Sequence, residues 1–212
     1  MGKNKREFIM EDLMEPGIME KQNEEILLEE MEKGGESRLR VHLASKGNLC
    51  ITNVDRKRTD MQFFKEDRTN SMYKRVDHMI FERLKDGVWR LHLIEMKGSV
   101  GTDKWSEIKG KFRASFLLGQ AIGAMLEIQL SETVMYTTFE KVRFGFSSTI
   151  PSARRGKLGE MKIRMEEEWD RGQFGLNFGQ RISFIHRPIQ MKRNEEGILE
   201  GDLTLTGERE IT

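Results

Sequence analysis

Cysteine is nearly missing from this chain: Cys50 is the single example among 212 residues. One thiol excludes an intramolecular disulfide framework and any cysteine-rich zinc site. Cys50 lies in the apolar run Leu49-Cys50-Ile51, so it reads as a buried structural thiol rather than a nucleophile. Proline is scarce as well, with three residues, and no stretch rich in Pro, Gly or Ser divides the chain. At this length one domain with extensions is expected. There is no long apolar run, and Met1-Gly2-Lys3-Asn4-Lys5-Arg6 leads into acidic residues rather than an apolar segment. These absences predict an intracellular, cytoplasmic protein that makes no use of a membrane. An excess of one charge is also lacking, because 36 Lys and Arg against 35 Asp and Glu leave a formal net charge of +1. Any nucleic-acid surface is therefore a local patch, and a broadly basic coating protein is excluded. His78, His92 and His186 show no metal-ligand spacing, and the 14 Met residues read as adaptable core filling.

What the chain does have is a hairpin with charge at its open end. Arg75 to Leu84 and Val88 to Lys97 are two runs of β-branched, aromatic and aliphatic residues around Lys85-Asp86-Gly87. A three-residue connection ending in a left-handed glycine closes such hairpins. Leu84 then faces Val88, and counting back pairs Arg83 with Trp89, Glu82 with Arg90, Phe81 with Leu91, Met79 with Leu93 and Asp77 with Glu95. This register gathers Met79, Phe81, Trp89, Leu91 and Leu93 on one face and opposes Glu82 to Arg90 on the other. A two-residue type I′ turn at Asp86-Gly87 would slip the partner by one and mix Met79 and Phe81 with Ile94, His92 and Arg90, which is the poorer fit.

Asp77 and Glu95 then share the apolar face with β-carbons about 4.5–5.5 Å apart, where like charges repel. A hard divalent cation such as Mg2+ supplies a reason to keep them together, since it takes carboxylate oxygens and retains waters that a substrate displaces. Met96 points away and offers its carbonyl to the metal. Lys97 returns to the same face, where its ammonium would orient an attacking water and stabilise charge developing on phosphorus.

Asp77, the strand and turn after it, and Leu93-Ile94-Glu95-Met96-Lys97 resemble the PD-(D/E)xK nuclease superfamily, with Val76 standing where the motif's name has Pro. The resemblance covers about Ser71 to Leu130. It implies an α/β fold with a mixed sheet flanked by helices, a restriction-endonuclease-like core in the order helix, three strands, helix, strand, with N- and C-terminal additions. It implies that Asp77 and Glu95 bind Mg2+ or Mn2+, that Lys97 assists the water, and that phosphodiester bonds of nucleic acid, DNA by preference, are hydrolysed. Some relatives carry a glutamine on the helix after the motif, which marks Gln120, although Ala124 stands where they place an aromatic residue. Others draw a ligand from the first core helix, which marks Glu25 and Glu29, for which a solvated acidic face is the competing reading. Two other classes of protein suit the same residues: a noncatalytic nucleic-acid-binding or assembly module with this fold, and an interaction domain in which Glu95 and Lys97 merely pair.

The flanking sequence is assigned around this core. Glu7 to Met14 and Glu20 to Lys33 read as helices, the second ending at Gly34-Gly35, within an N-terminal helical segment 1–34. The core spans 35–150: strands at Arg38 to Ala44 and Asn48 to Val54, an irregular loop from Asp55 to Arg75, the hairpin, and a helix capped by Thr102 or Asp103 that runs to about Leu130. Trp105, Ile108, Phe112, Phe116, Ala121, Met125 and Ile128 form its apolar face, while Gly119 and Gly123 permit a close neighbour. Lys104 and Lys111 lie near the end beside the site and are candidate phosphate contacts, against the plain alternative of a solvated face with Glu107 paired to Lys111. A strand within Val134 to Ser148 completes the core. An addition over 151–192 carries the phosphate-binding candidates Arg154 and Arg155, a helix near Lys162 to Asp170 and a strand at Arg181 to Met191, with Phe174, Phe178 and Phe184 closing the core. From 193 to 212 a loosely held tail is expected, with Leu199, Leu203 and Leu205 in a last short strand.

Overall fold

Three layers meet on a central sheet. The computed structural model describes residues 4–14, 16–22, 24–31, 36–56, 64, 71–144 and 157–206. The central sheet runs β1 (Glu20–Gln22), β4 (Asn48–Ile51), β5 (His78–Arg83), β6 (Trp89–Glu95), β8 (Leu130–Phe139), β11 (Arg181–Gln190) and β10 (Gln173–Asn177). β6, β8 and β11 are mutually parallel, and the outer pairs are antiparallel, so the protein is mixed α/β. A second sheet, β12 (Lys192–Arg193), β13 (Leu199–Thr204), β3 (Ser37–His42) and β2 (Glu25–Glu30), covers one face. Helices α2 (Thr102–Met125) and α3 (Lys157–Asp170) contribute to the core on the other. A small parallel pair, β7 (Ser99–Gly101) with β9 (Lys141–Arg143), sits at the start of α2.

The hairpin has the expected register. Arg83 pairs with Trp89, Glu82 with Arg90, Phe81 with Leu91 and Met79 with Leu93. The Leu84 N–H donates to the Val88 carbonyl at 2.9 Å and the Gly87 N–H to the Leu84 carbonyl at 3.0 Å, which closes a three-residue turn with Gly87 at φ +83°. Each side of β6 meets a different layer: Leu91 and Leu93 pack in the helix-side core, and Ile94 and Met96 in the core under the second sheet. All seven residues of β6 are consequently buried. The Glu82–Arg90 pair is buried too, at 3.4 Å, with Glu132 also bonded to Arg90, so it is an internal ion-pair network rather than a surface contact.

Several expectations are corrected. The described residues of Glu20–Lys33 form strands β1 and β2 in place of the expected helix, and β2 alternates outward Glu25, Leu27 and Glu29 with inward Ile26, Leu28 and Glu30. Pairing with β3 outweighs the helix preference of its glutamates. Among the described residues of the N-terminal segment, helix is limited to α1 (Lys5–Phe8) and a π-helical turn at Ile9–Leu13. Helix α2 has Gly101 at its N-cap with no side-chain cap, so neither Thr102 nor Asp103 caps it, and it stops at Met125 because the chain must turn into β8. Its buried stripe is Trp105, Ile108, Phe112, Ser115, Gly119 and Ile122, whereas Ala121 and Met125 face outward. A β-carbon on Gly119 would lie 2.5 Å from Leu91 Cδ2, so glycine sets how closely α2 approaches the sheet. Of the expected tail, residues 193–206 belong to the second sheet: the last short strand is present as β13, which lies between β12 and β3 with Leu199 and Leu205 buried. Phe174 and Phe184 close the core as expected. Gly34-Gly35 and most of the 57–70 loop lie outside the described residues. No described helix is long and apolar enough to cross a membrane.

Candidate functional site

Where β5 begins and β6 ends, the apolar row of the helix-side face runs out into charge. His78 pairs with Ile94 at the last rung, so the next step sets Asp77 beside Glu95. Neighbouring elements fix Asp77 from three directions. Its Oδ2 accepts the Met96 N–H at 2.6 Å, its carbonyl accepts the Val54 N–H at 2.7 Å, and Ser115 Oγ on α2 accepts the N–H of the preceding Val76 at 2.9 Å. Asp77 is 2% exposed and Glu95 0%.

Two ammonium groups bridge these carboxylates. Lys97 Nζ lies 2.7 Å from Glu95 Oε1 and 3.8 Å from Asp77 Oδ2. Lys111 Nζ, from α2, lies 2.8 Å from the same Glu95 oxygen and 3.9 Å from Asp77 Oδ1. Lys97 also donates through Nζ to the Met96 carbonyl at 2.8 Å and through its N–H to Thr138 Oγ1 at 2.9 Å. Glu95 Oε2 is buried without a hydrogen-bond partner.

The electrostatics follow from burial. Loss of solvent and the nearby Asp77 push the Glu95 carboxyl up to about 7, although Lys97 and Lys111 pull the other way. Burial lowers Lys97, but the charges of Glu95, Asp77 and Glu30 outweigh it and hold the ammonium above its ordinary value. Glu30, at the inner end of β2 and 8% exposed, is a contributor that sequence reasoning passed over. The alternation Ile26, Leu28, Glu30 was its available signal. Lys111, a candidate phosphate contact by sequence, pairs with Glu95 rather than with Glu107. Its signal was a position beside the buried stripe of Ile108, Phe112 and Ser115.

Oxygen donors of the kind Mg2+ and Mn2+ prefer converge here: the carboxylates of Asp77 and Glu95, including the unpartnered Oε2, and the Met96 carbonyl. Among the described residues no group of three or more His, Cys, Asp or Glu is placed to hold a metal, so soft or closed zinc-type centres have no counterpart in them. Two carboxylates and a carbonyl fit an ion that keeps several waters.

Other candidates lie elsewhere. Glu25 and Glu29 project from the outer face of β2, where they meet Arg40 and His42, and Arg38, respectively. Gln120 is exposed nine residues beyond Lys111 on α2, about 13 Å along the axis, and does not join the cluster. Lys104 is exposed and pairs with Glu107 at 3.3 Å. Arg154 and Arg155 lie outside the described residues. His92 faces the second layer, bonded to Glu82 and Tyr136, and Cys50 is buried with its thiol pushed up to about 12 by burial and Glu20.

No protein-family model matches the chain, and neither a curated protein nor a solved structure matches it significantly.

Proposed function

We propose that the protein is a divalent-metal-dependent nuclease that hydrolyses phosphodiester bonds, with DNA as the preferred substrate. The observation that carries this reading is the convergence of Asp77, Glu95, Lys97 and Lys111 within 2.7–3.9 Å ion pairs at the end of two buried strands. Burying two like charges side by side is costly, and a fold retains such an arrangement where chemistry requires it. The order of three antiparallel strands β4, β5 and β6, then α2, then β8 parallel to β6 supports a restriction-endonuclease-like core.

In this reading Asp77, Glu95 and the Met96 carbonyl hold Mg2+ or Mn2+. The bound ion would polarise a phosphoryl oxygen and lower the pKa of water. Lys97, kept protonated by its carboxylate neighbours, donates hydrogen bonds that orient the nucleophile and stabilise charge on phosphorus. Its second anchor, the Met96 carbonyl, restricts where that ammonium points. The cluster lies at the ends of β5 and β6, where Lys97 and Lys111 remain partly exposed and could meet a substrate phosphate.

The test is incubation of labelled single- and double-stranded DNA and RNA with Mg2+ or Mn2+, comparing wild type with Glu95→Ala and Lys97→Ala. Metal-dependent cleavage by wild type, lost in both variants, is expected. Cleavage that survives both substitutions would sink the assignment, and binding without cleavage would favour a noncatalytic module with the same fold.

A further inference from the structure

The two lysines at the carboxylate pair are held very differently. Lys97 has a second partner in the Met96 carbonyl, a backbone anchor on Thr138 and the added attraction of Glu30. Lys111 depends on Glu95, with Asp77 at 3.9 Å, and extends from a helix whose Glu107 stands one turn earlier. Residues four apart on a helix are neighbours, with β-carbons about 5–6 Å apart, so Glu107, which Lys104 already meets at 3.3 Å, is near enough to share Lys111 at the rim. Glu107 is 42% exposed, against 14% for Lys111.

Charge balance makes this difference matter. With both carboxyls ionised, Asp77 and Glu95 carry two negative charges and Lys97 and Lys111 return two positive ones, so these four groups balance. A divalent ion added to them would leave two uncompensated charges beside residues that solvent cannot reach. Withdrawal of one ammonium halves that excess, and of the two Lys111 has the fewer ties.

We propose that Lys111 competes with the divalent ion for Glu95, leaves when the ion binds, and turns toward Glu107 and the phosphate of the substrate. This rests on the nuclease reading of the site. Lys111 thereby serves twice: as an internal counter-ion that keeps the carboxylate pair together, and as a phosphate contact released by metal binding.

Calorimetric titration of Mn2+ into wild type, Lys111→Met and Lys111→Arg at about pH 8.5, above the ordinary carboxylate range, tests the competition. Lys111→Met should bind Mn2+ about tenfold more tightly than wild type, since a neighbouring positive charge has been removed. Lys111→Arg should remain within about threefold of wild type, because its charge is kept. Cleavage at saturating metal should fall in Lys111→Met even though the ion binds better. A second readout needs no destabilising change. In the wild-type protein, Mg2+ should shift the NMR signal of the Lys111 ε-methylene, assigned through Lys111→Arg, far more than that of Lys97. Unchanged or weaker Mn2+ binding by Lys111→Met, or a Lys111 signal indifferent to Mg2+, overturns the inference while the nuclease reading stands if wild type still binds Mn2+ and cuts. Failure of wild type to bind Mn2+ and to cut overturns both.

Discussion

Replacing Glu95 by Gln should stabilise the fold in a pH-dependent way, and the size of the effect follows from the burial of that one carboxyl. Glu95 is fully buried beside Asp77, and its carboxyl is raised from 4.5 to about 7. The folded chain thus prefers the protonated form and the unfolded chain the ionised one between those values. Stability contributed by the proton is complete below about pH 4.5 and is lost as pH rises through 7. The difference of about 2.5 units corresponds to about 3 kcal/mol of destabilisation of wild type above neutral pH. Glutamine reproduces the neutral shape and still accepts hydrogen bonds from Lys97 and Lys111. In urea unfolding with a chelator present, followed by the fluorescence of the buried Trp105 and Trp169, the Gln variant should exceed wild type by about 3 kcal/mol near pH 8.5. The two should converge within about 0.5 kcal/mol near pH 4.5. A variant less stable than wild type at alkaline pH would refute the reasoning, because the lysines would then make ionised Glu95 a net stabiliser. Cleavage should be lost in the same variant, the trade of activity against stability expected where a charge is kept for chemistry.

Two further perturbations test the surroundings of the site. His186 is enclosed by Trp105, Phe112, Trp169 and Phe174, and burial lowers it from 6.5 to about 3. Its stabilising contribution is present above about pH 6.5 and is lost as pH falls toward 3, about 3 kcal/mol of it by pH 4.5. His186→Phe forfeits the bond to Thr137 Oγ1, about 1 kcal/mol near pH 8, yet should be the more stable form near pH 4.5. Stability curves that never cross would contradict this account. Arg90→Met leaves Glu82 and Glu132 without their shared cation in a buried network and should cost about 3–5 kcal/mol. That is about 10 °C in Tm by differential scanning calorimetry, and a drop under about 2 °C would show the network to be solvated.

The parts of the molecule legible in its sequence are those whose signals are local. The turn Lys85-Asp86-Gly87 and the two-residue alternation around it suffice to set the register of β5 and β6, and with it the approach of Asp77 to Glu95. β2 departs from the helical expectation because Glu24, Glu25, Glu29 and Glu30 favour a helix in isolation, whereas in the fold the strand is set by antiparallel pairing with β3. β13 is the expected last short strand, but its place inside the second sheet has no local signal. Leu199 and Leu203 are fixed by parallel pairing with Ser37 and Val41 at the other end of the chain, and no short window of sequence carries that contact. Lys111 belongs to the same class, since its distance from Glu95 depends on how α2 rests on the sheet.

That last dependence separates the two cations of the site. Lys97 follows directly from β6 and is steadied by Thr138 of β8 and the charge of Glu30 of β2, so it belongs to the sheets. Lys111 belongs to the helical layer, and Gly119 two turns further on lets α2 settle against Leu91. A β-carbon there would lie 2.5 Å from Leu91 Cδ2, a contact that requires the helix or the leucine to shift, at about 1–3 kcal/mol. Gly119→Ala should therefore disturb the Lys111 ε-methylene NMR signal and leave that of Lys97 nearly unmoved. Adding Leu91→Val, which shortens the opposing side chain, should return the Lys111 signal toward its wild-type position, a coupling that a double-mutant cycle reads directly. Equal disturbance of both lysines, or none, would mean that the helix does not set the position of Lys111 and that the two cations move as one unit.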